Sequence, residues 1–493
     1  MKHGQASRNA LAGAVQTILS AGLMFVFYRV ILDTVGADGL GVWSVVLATT
    51  NAARVSELGL SGSAVKYTAG RLARGDHDAA SRVIETTVLT VGALIAVAAG
   101  VAYVGIGAVL PAIIPSDGLK DAIALLPYAC VSFWLTSIAG ALQSGLDGCG
   151  RIDLRNAIVF GGQLLYVALG IWLVQERGII GLALAQIAQG IALVVAVWIG
   201  IRIALPAAPI VPRRWDRGLF REMLRYGLSF QALSLLRMLF EPTTKVLMSR
   251  FGGLSAAGFY EMATLLVTKL RALVVAAQQA LTPEIAFIQE RQPERVNAAY
   301  ARVNGISGYV TVPLFAGVIA SAPFVSHLWV GHYEPMLVLF VVLLAAGWLV
   351  NTLTGPAFFL LLGTGEMRGV VVSHVTIALV NAGLGAALGW AFGAIGVALG
   401  WVVALGAGAV HLLWILQKDR GVTQHLPDPK GITVGLPLVI AAFGLGAALI
   451  RPESLVASMG VVGVVGVALA LTMWASPYRM QVIDLLRSAL GKA

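Results

Sequence analysis

The chain has 493 residues, of which 58% are hydrophobic and only 12% are charged. Soluble domains carry about 25% charged residues, so this composition excludes an ordinary soluble protein and predicts a membrane protein. The formal net charge of +10 would favour nucleic-acid binding in a soluble chain, so the placement of the basic residues has to be examined first.

Apolar segments long enough to cross a bilayer, which takes about 20 residues, recur along the whole chain. The first is too long for the core of a signal peptide, so we interpret it as an uncleaved span. We predict an all-α polytopic membrane protein with about 14 transmembrane helices. The predicted spans lie near 9–32, 38–62, 82–108, 120–143, 154–175, 179–203, 222–249, 255–282, 300–326, 335–362, 368–391, 393–416, 431–450 and 454–474.

The lysines and arginines predict the orientation of these spans. Of the 34 basic residues, 24 fall in loops on the side of the two termini and five fall on the opposite side. Loops rich in Lys and Arg remain in the cytoplasm, so both termini are predicted to be cytoplasmic in the cell inner membrane. The positive charge is therefore a topology signal, and nucleic acid is not an expected partner.

A glycine pattern occurs twice at a nearly constant spacing. The stretch "VGADGLGVW" at 35–43 aligns with "FGGLSAAGFY" at 251–260, so Gly36 and Gly41 match Gly253 and Gly258 at an offset of 217. Two later pairs, "LDGCGR" with "LLGTGEMR" and "GIIGLAL" with "GAIGVAL", match at 215. The first stretch lacks the Lys-Ser/Thr of a phosphate-binding loop. We predict that these glycines form tight outer turns of helical hairpins, where positive φ and close helix approach are needed.

The repeat predicts two pseudo-symmetric six-helix lobes of the same orientation, with a cavity between them, followed by two C-terminal helices. After the last span, "PYRMQVIDLLRSALGK" has the pattern of an amphipathic helix on the inner membrane surface. The predicted boundaries are 1–205 for the N-lobe, 206–221 for a cytoplasmic linker, 222–417 for the C-lobe, 418–475 for spans 13 and 14, and 476–493 for a cytoplasmic tail.

Charged residues inside the spans are the candidate functional residues. Arg54 in span two falls on Arg271 in span eight at the offset of 217, which was defined from the glycines alone. A charge at the centre of a span costs at least ~2.5 kcal/mol, so both arginines should face protein or a water-filled cavity. The forked donors of a guanidinium match phosphate oxygens, which favours an anionic substrate.

Span seven carries Arg237, Glu241 and Lys245 on one helix face, and span two carries Glu57 close to Arg54. Two interpretations remain open for these groups. In one, the carboxylates and cations form internal pairs that hold helices together. In the other, the cations line the cavity.

The segment "ILDTVGADGLGVWSVVLATTNAARVSELGLSGSAVKYTAGRLARGD" resembles the start of the bacterial polysaccharide-transport proteins, the O-antigen and exopolysaccharide flippases. They belong to the multidrug, oligosaccharidyl-lipid and polysaccharide exporter superfamily. The resemblance implies two six-helix lobes with two extra helices, and a transporter that is not an enzyme. The implied activity moves undecaprenyl-diphosphate-linked oligosaccharide from the inner to the outer leaflet. The implied partners are this substrate, membrane lipids, and polysaccharide polymerase and assembly proteins.

On this hypothesis a set of cavity cations binds the diphosphate, and three acids are candidates for ion coupling; no metal or cofactor is expected. The cations are Arg54, Arg271, Arg237 and Lys245, and the acids are Glu57, Glu241 and Glu261. A lipid II flippase is the closest alternative, and a drug or cation antiporter of the same superfamily is another. An alternative of a different class is a polysaccharide ligase or polymerase, although its usual large outer loop has no counterpart here.

Overall fold

The computed structural model describes residues 3–52, 57, 59–279, 288, 293–364, 366–421, 431–450 and 454–489. Over these residues the chain is helical with no strand, which confirms the predicted all-α class. The first seven helices are α1 His3–Asn51, α2 Leu60–Leu72, α3 His77–Ile113, α4 Ser116–Gly148, α5 Ile152–Ala204, α6 Arg217–Gly252 and α7 Leu254–Gln279. The others are α8 Val296–Val330, α9 Pro335–Leu353, α10 Gly355–Gly363, α11 Met367–Arg420, α12 Gly435–Leu449, α13 Leu455–Ala475 and α14 Arg479–Ala489.

Three of these helices are too long to cross a membrane once. Helices α1, α5 and α11 contain 49, 53 and 54 residues. At 1.5 Å per residue each would be roughly 75–80 Å long if straight, against a hydrocarbon core of about 30 Å. Each is broken by one glycine with non-helical dihedrals, Gly36, Gly178 or Gly393. Helices α5 and α11 therefore each account for two predicted spans, and α1 accounts for span one and the first part of span two.

Among the described residues, eight helices are long and apolar enough to span a membrane, which confirms a multi-pass membrane protein. Helices α6 and α7 are not among the eight; they correspond to predicted spans seven and eight, both of which carry charges. Predicted span two is also interrupted, because α1 ends at Asn51 and α2 begins at Leu60. Beyond α13, α14 lies within the predicted amphipathic tail.

The backbone repeats at the spacing of the glycine pattern. Gly36 has φ 70° and ψ 179°, and Gly253 has φ 83° and ψ 176°. Gly178 and Gly393, 215 residues apart, have φ of 56° and 61° and the same ψ of −139°. Only glycine adopts these conformations without strain, because a Cβ would collide with the backbone. The two halves of the chain therefore share their turn geometry as well as their glycines.

By packing, the chain divides into two compact units, Val30–Gly258 and Met1–Arg29 with Phe259–Ala493. We call them the first and the second unit. Their boundaries fall inside helices α1 and α7 and do not coincide with the lobe boundaries predicted from the sequence. The division into lobes at 1–205 and 222–417 stays a prediction.

In the first unit, two hairpin turns related by the repeat approach each other closely. A Cβ on Gly41 would collide with the carbonyl oxygen of Leu254, and a Cβ on Gly258 would collide with that of Ala37. Ala37 and Leu254 are themselves 217 residues apart, so each turn contacts the other at equivalent positions. This reciprocity is what a local two-fold axis produces.

The segment before α6 is fastened to α3 through the fully buried side chain of Glu85. The Arg214 guanidinium donates hydrogen bonds of 2.8 and 2.6 Å to one carboxylate oxygen. The backbone N–H groups of Arg213 and Arg214 donate to the other oxygen at 3.1 and 3.0 Å. A second ion pair of 2.6 Å joins Arg214 to Asp78. The predicted linker 206–221 is therefore anchored to the first unit near its end.

Candidate functional site

Arg271 lies on α7 and is held by two residues of α9. Its guanidinium carbon is 4.1 Å from the centre of the Trp348 ring, in cation–π contact. Its Nη2 donates a hydrogen bond of 3.2 Å to the side-chain oxygen of Asn351. Trp348 and Asn351 are three residues apart, which places them on one face of α9. Trp401 packs edge-on against Trp348 at 5.8 Å and supports the indole.

The two contacts orient the guanidinium by uncharged groups. An aromatic face attracts the cation and an amide oxygen accepts one proton, and neither contributes a negative charge. A guanidinium carries its donors in a rigid fork, the geometry that suits phosphate oxygens. The side chain is half-buried. Its predicted partner Arg54 lies outside the described residues, so a shared site of Arg54 and Arg271 stays a prediction.

Lys245 is not an isolated cation. Its ammonium lies 2.5 Å from the carboxylate of Glu241, one turn earlier on α6, with side-chain exposures of 5% and 60%. The interpretation of internal pairing therefore applies to Glu241, with Lys245 as its partner. The pair has no net charge, which weakens Lys245 as a phosphate ligand. Arg237 lies on the same helix, but its side chain is outside the described part of the structure.

The other two candidate acids each accept a hydrogen bond from a hydroxyl. Ser61 donates to Glu57 within the first unit. In the second unit, the Tyr28 phenol on α1 donates to Glu261 on α7 at 3.1 Å. The part of these acids in ion coupling stays a prediction.

The hairpin turns of the first unit also carry a polar contact between equivalent residues. The Ser255 hydroxyl donates a hydrogen bond of 2.5 Å to the Asp38 carboxylate, and the two residues are 217 apart. In the predicted topology both belong to the outer side. The turns are thus joined by close backbone packing and by one side-chain hydrogen bond.

Trp348, Asn351 and Tyr28 were missed by the reasoning from sequence. Each is a single polar or aromatic residue in an apolar helix, a common feature of membrane spans. The available signal was the spacing of Trp348 and Asn351 on one face of predicted span ten. Without knowledge of which helix packs against α7, that spacing does not connect them to Arg271.

The helices define a polytopic α-helical membrane protein. The chain belongs to the polysaccharide biosynthesis protein family, whose sequence profile matches residues 85–336, just over half of its length. No curated protein sequence matches the chain.

Solved structures of low identity share the fold. Lipid II flippase MurJ in an inward closed conformation matches with a TM-score of 0.74 at 14% identity, covering 96% of this chain and 100% of MurJ. An inward-facing multidrug resistance MATE family transporter matches with a TM-score of 0.65 at 16% identity, covering 83% and 98%. A MOP superfamily transporter from Pyrococcus furiosus gives 0.57 at 14%, covering 85% and 97%.

Proposed function

We propose that this protein is a flippase that moves undecaprenyl-diphosphate-linked oligosaccharide from the inner to the outer leaflet of the cytoplasmic membrane. Membership of the polysaccharide biosynthesis protein family supports the pathway. The observation that carries the proposal is Arg271, a guanidinium inside a predicted span that is oriented by Trp348 and Asn351. Such a group suits a diphosphate, the anionic part of a polyprenyl-linked sugar.

The proposed mechanism is alternating access between two lobes. Arg54 and Arg271 bind the diphosphate, the sugar occupies the aqueous cavity, and the polyprenyl tail stays in the lipid. Both termini lie in the cytoplasm, so the anionic head group leaves a negative interior and moves down the membrane potential. One elementary charge crossing 100 mV supplies ~2.3 kcal/mol. The further cations in this proposal are Arg237 and Lys245, of which Lys245 contributes less because it is paired with Glu241. The candidate ion carriers are Glu57, Glu241 and Glu261.

A second candidate function is lipid II transport. The match to MurJ favours this candidate, because it covers 96% of this chain, whereas the match to the MATE transporter covers 83%. Lipid II also carries a diphosphate, so the same arginine chemistry would serve. Restoring growth to a strain depleted of its lipid II flippase would support this candidate. Restoring only surface polysaccharide would support the first.

The test of the proposed mechanism removes the two arginines. We expect Arg54→Ala and Arg271→Ala each to abolish polymer production in a strain lacking its own flippase, with near-normal membrane abundance. Arg→Lys variants should recover only part of the activity, because an ammonium lacks the forked donors. Arg250→Ala, a charge loss at the exposed end of α6, serves as the control. Full transport by a well-expressed double Ala variant would refute the mechanism.

A further inference from the structure

A cavity of about 440 Å³ opens in the first unit where α2 meets the first turns of α6. In the predicted topology this place is on the cytoplasmic surface, away from the arginines within the spans. The cavity is lined by Tyr67, Gly218, Arg221, Glu222, Arg225 and Tyr226.

Direct side-chain contacts hold α2 against α6 beside the cavity. The Ser63 hydroxyl donates a hydrogen bond of 2.8 Å to the carbonyl oxygen of Met223. The rings of Tyr67 and Tyr226 meet edge to face at 6.0 Å. The Lys66 ammonium lies 3.7 Å from the centre of the Tyr226 ring. Two aromatic rings and a nearby cation are therefore held at the cavity by packing of the two helices.

The start of α6 is fixed independently of these contacts. Asp216 caps the helix by accepting hydrogen bonds of 2.7 and 3.0 Å from the backbone N–H groups of Gly218 and Leu219. Its own N–H donates to Thr86 of α3 at 3.2 Å. Together with the Arg214–Glu85 contacts, these bonds hold the first turn of α6 against α3. The residues that line the cavity therefore rest on a supported helix end.

The lining combines two kinds of binding group. Arg221 and Arg225 are one helical turn apart on α6, so both guanidiniums can reach one phosphate or diphosphate. Burial, together with the nearby Glu222 carboxylate, raises the pKa of Tyr67. The phenol therefore stays protonated at neutral pH. Glu222 and the two phenols supply acceptors and flat faces of the kind that bind sugar hydroxyls and sugar rings.

We propose that this cavity binds the phosphorylated sugar head group of the lipid-linked substrate at the cytoplasmic surface, before the substrate enters the transport path. The inference rests on the proposed function and names a second site for the same substrate. The arginines bind phosphate, the tyrosine rings pack against the sugar, and Glu222 accepts hydrogen bonds from sugar hydroxyls. A phosphate without neighbouring hydroxyls would be repelled by the Glu222 carboxylate, and no hydrogen bond from a sugar hydroxyl to Glu222 would offset that repulsion. The cavity is thus suited to a sugar phosphate and not to a bare diphosphate.

The experiment measures ligand binding to the purified Arg54→Ala, Arg271→Ala variant in nanodiscs. In this variant the arginines within the spans do not contribute to binding. The probes are undecaprenyl diphosphate carrying N-acetylglucosamine, undecaprenyl diphosphate alone, and glucose 1-phosphate. We expect the sugar-bearing lipid to bind most tightly. Adding Arg221→Gln and Arg225→Gln should weaken both lipids about tenfold or more, as the loss of charged hydrogen bonds to phosphate implies. Adding Tyr226→Leu should weaken the binding of the sugar-bearing lipid and leave the binding of undecaprenyl diphosphate unchanged.

The matched control is Arg74→Gln with Arg202→Gln, which removes the same charge from exposed positions outside the cavity and should leave binding unchanged. Unchanged affinity after Arg221→Gln and Arg225→Gln would overturn the inference. Equal affinity for glucose 1-phosphate and the sugar-bearing lipid would also overturn it, by pointing to a soluble sugar phosphate. Failure of the proposed function has a different signature: export then persists in the Arg54→Ala, Arg271→Ala protein, whatever the cavity binds.

Discussion

The environment of Arg271 shows how a charge is held inside an apolar helix. The Asn351 side chain accepts a hydrogen bond from the guanidinium, and the Trp348 ring attracts the cation. These two contacts orient the guanidinium, and neither involves a carboxylate. Lys245 is treated differently, since Glu241 pairs with it directly. Two basic residues that look alike in sequence therefore differ in chemistry. The Arg271 guanidinium stacks on an aromatic face, whereas the Lys245 ammonium lies in an ion pair.

At this scale we predict that Trp348 positions Arg271 for transport. Trp348→Leu removes a cation–π contact worth about 0.5–2 kcal/mol, so transport should fall roughly twofold to thirtyfold at near-normal abundance. Trp348→Phe should retain part of the activity, because it keeps an aromatic face. Polymer production normalised to membrane abundance measures both. Trp390→Leu, at an 83% exposed position, is the control. Full activity of Trp348→Leu would show that the contact has no part in transport.

Local sequence patterns predicted the helical elements well, and contacts distant in sequence poorly. Composition and the constant glycine offset predicted the helical class and the breaks at Gly36 and Gly253, because a positive φ is a property of one residue. The Arg214–Glu85 contact joins residues 129 apart, and no short motif contains both. The contacts of Arg271 with Trp348 and Asn351 likewise depend on which face of α9 packs against α7. Side-chain partners across helices follow from tertiary packing, which periodicity leaves open.

The close packing of the hairpin turns gives a prediction for these elements. Gly41→Ala or Gly258→Ala places a Cβ against a backbone carbonyl oxygen, which cannot move aside as a side chain could. Both changes should lower the yield of folded protein in detergent. Gly62→Ala in α2 should not, because no atom lies within 4 Å of its added Cβ and alanine favours a helix. Gel filtration of fluorescent fusions compares the three, and normal yield of both turn variants would contradict the packing described.

The repeat brings equivalent residues of the two halves of the sequence into contact. Asp38 and Ser255 occupy equivalent positions in the two halves of the sequence, and they are hydrogen-bonded to each other. Gly41 and Gly258 bring the same two turns together at the backbone. In the predicted topology this contact lies on the outer side of the membrane. If transport follows the proposed alternating access, release of substrate to the outer leaflet requires the two turns to separate.

A reversible cross-link between the two turns tests whether they separate. In a background with Cys130→Ala and Cys149→Ser, the Asp38→Cys, Ser255→Cys variant should form a disulfide under mild oxidation, since the native side chains lie in hydrogen-bond contact. The cross-linked protein should lose transport in proteoliposomes, and a reductant should restore it. Each single cysteine variant, treated with the same oxidant, reports any effect unrelated to the bridge. If the fully cross-linked protein transports at the rate of its reduced form, the turns do not have to part, and the alternating-access mechanism proposed for this protein is wrong.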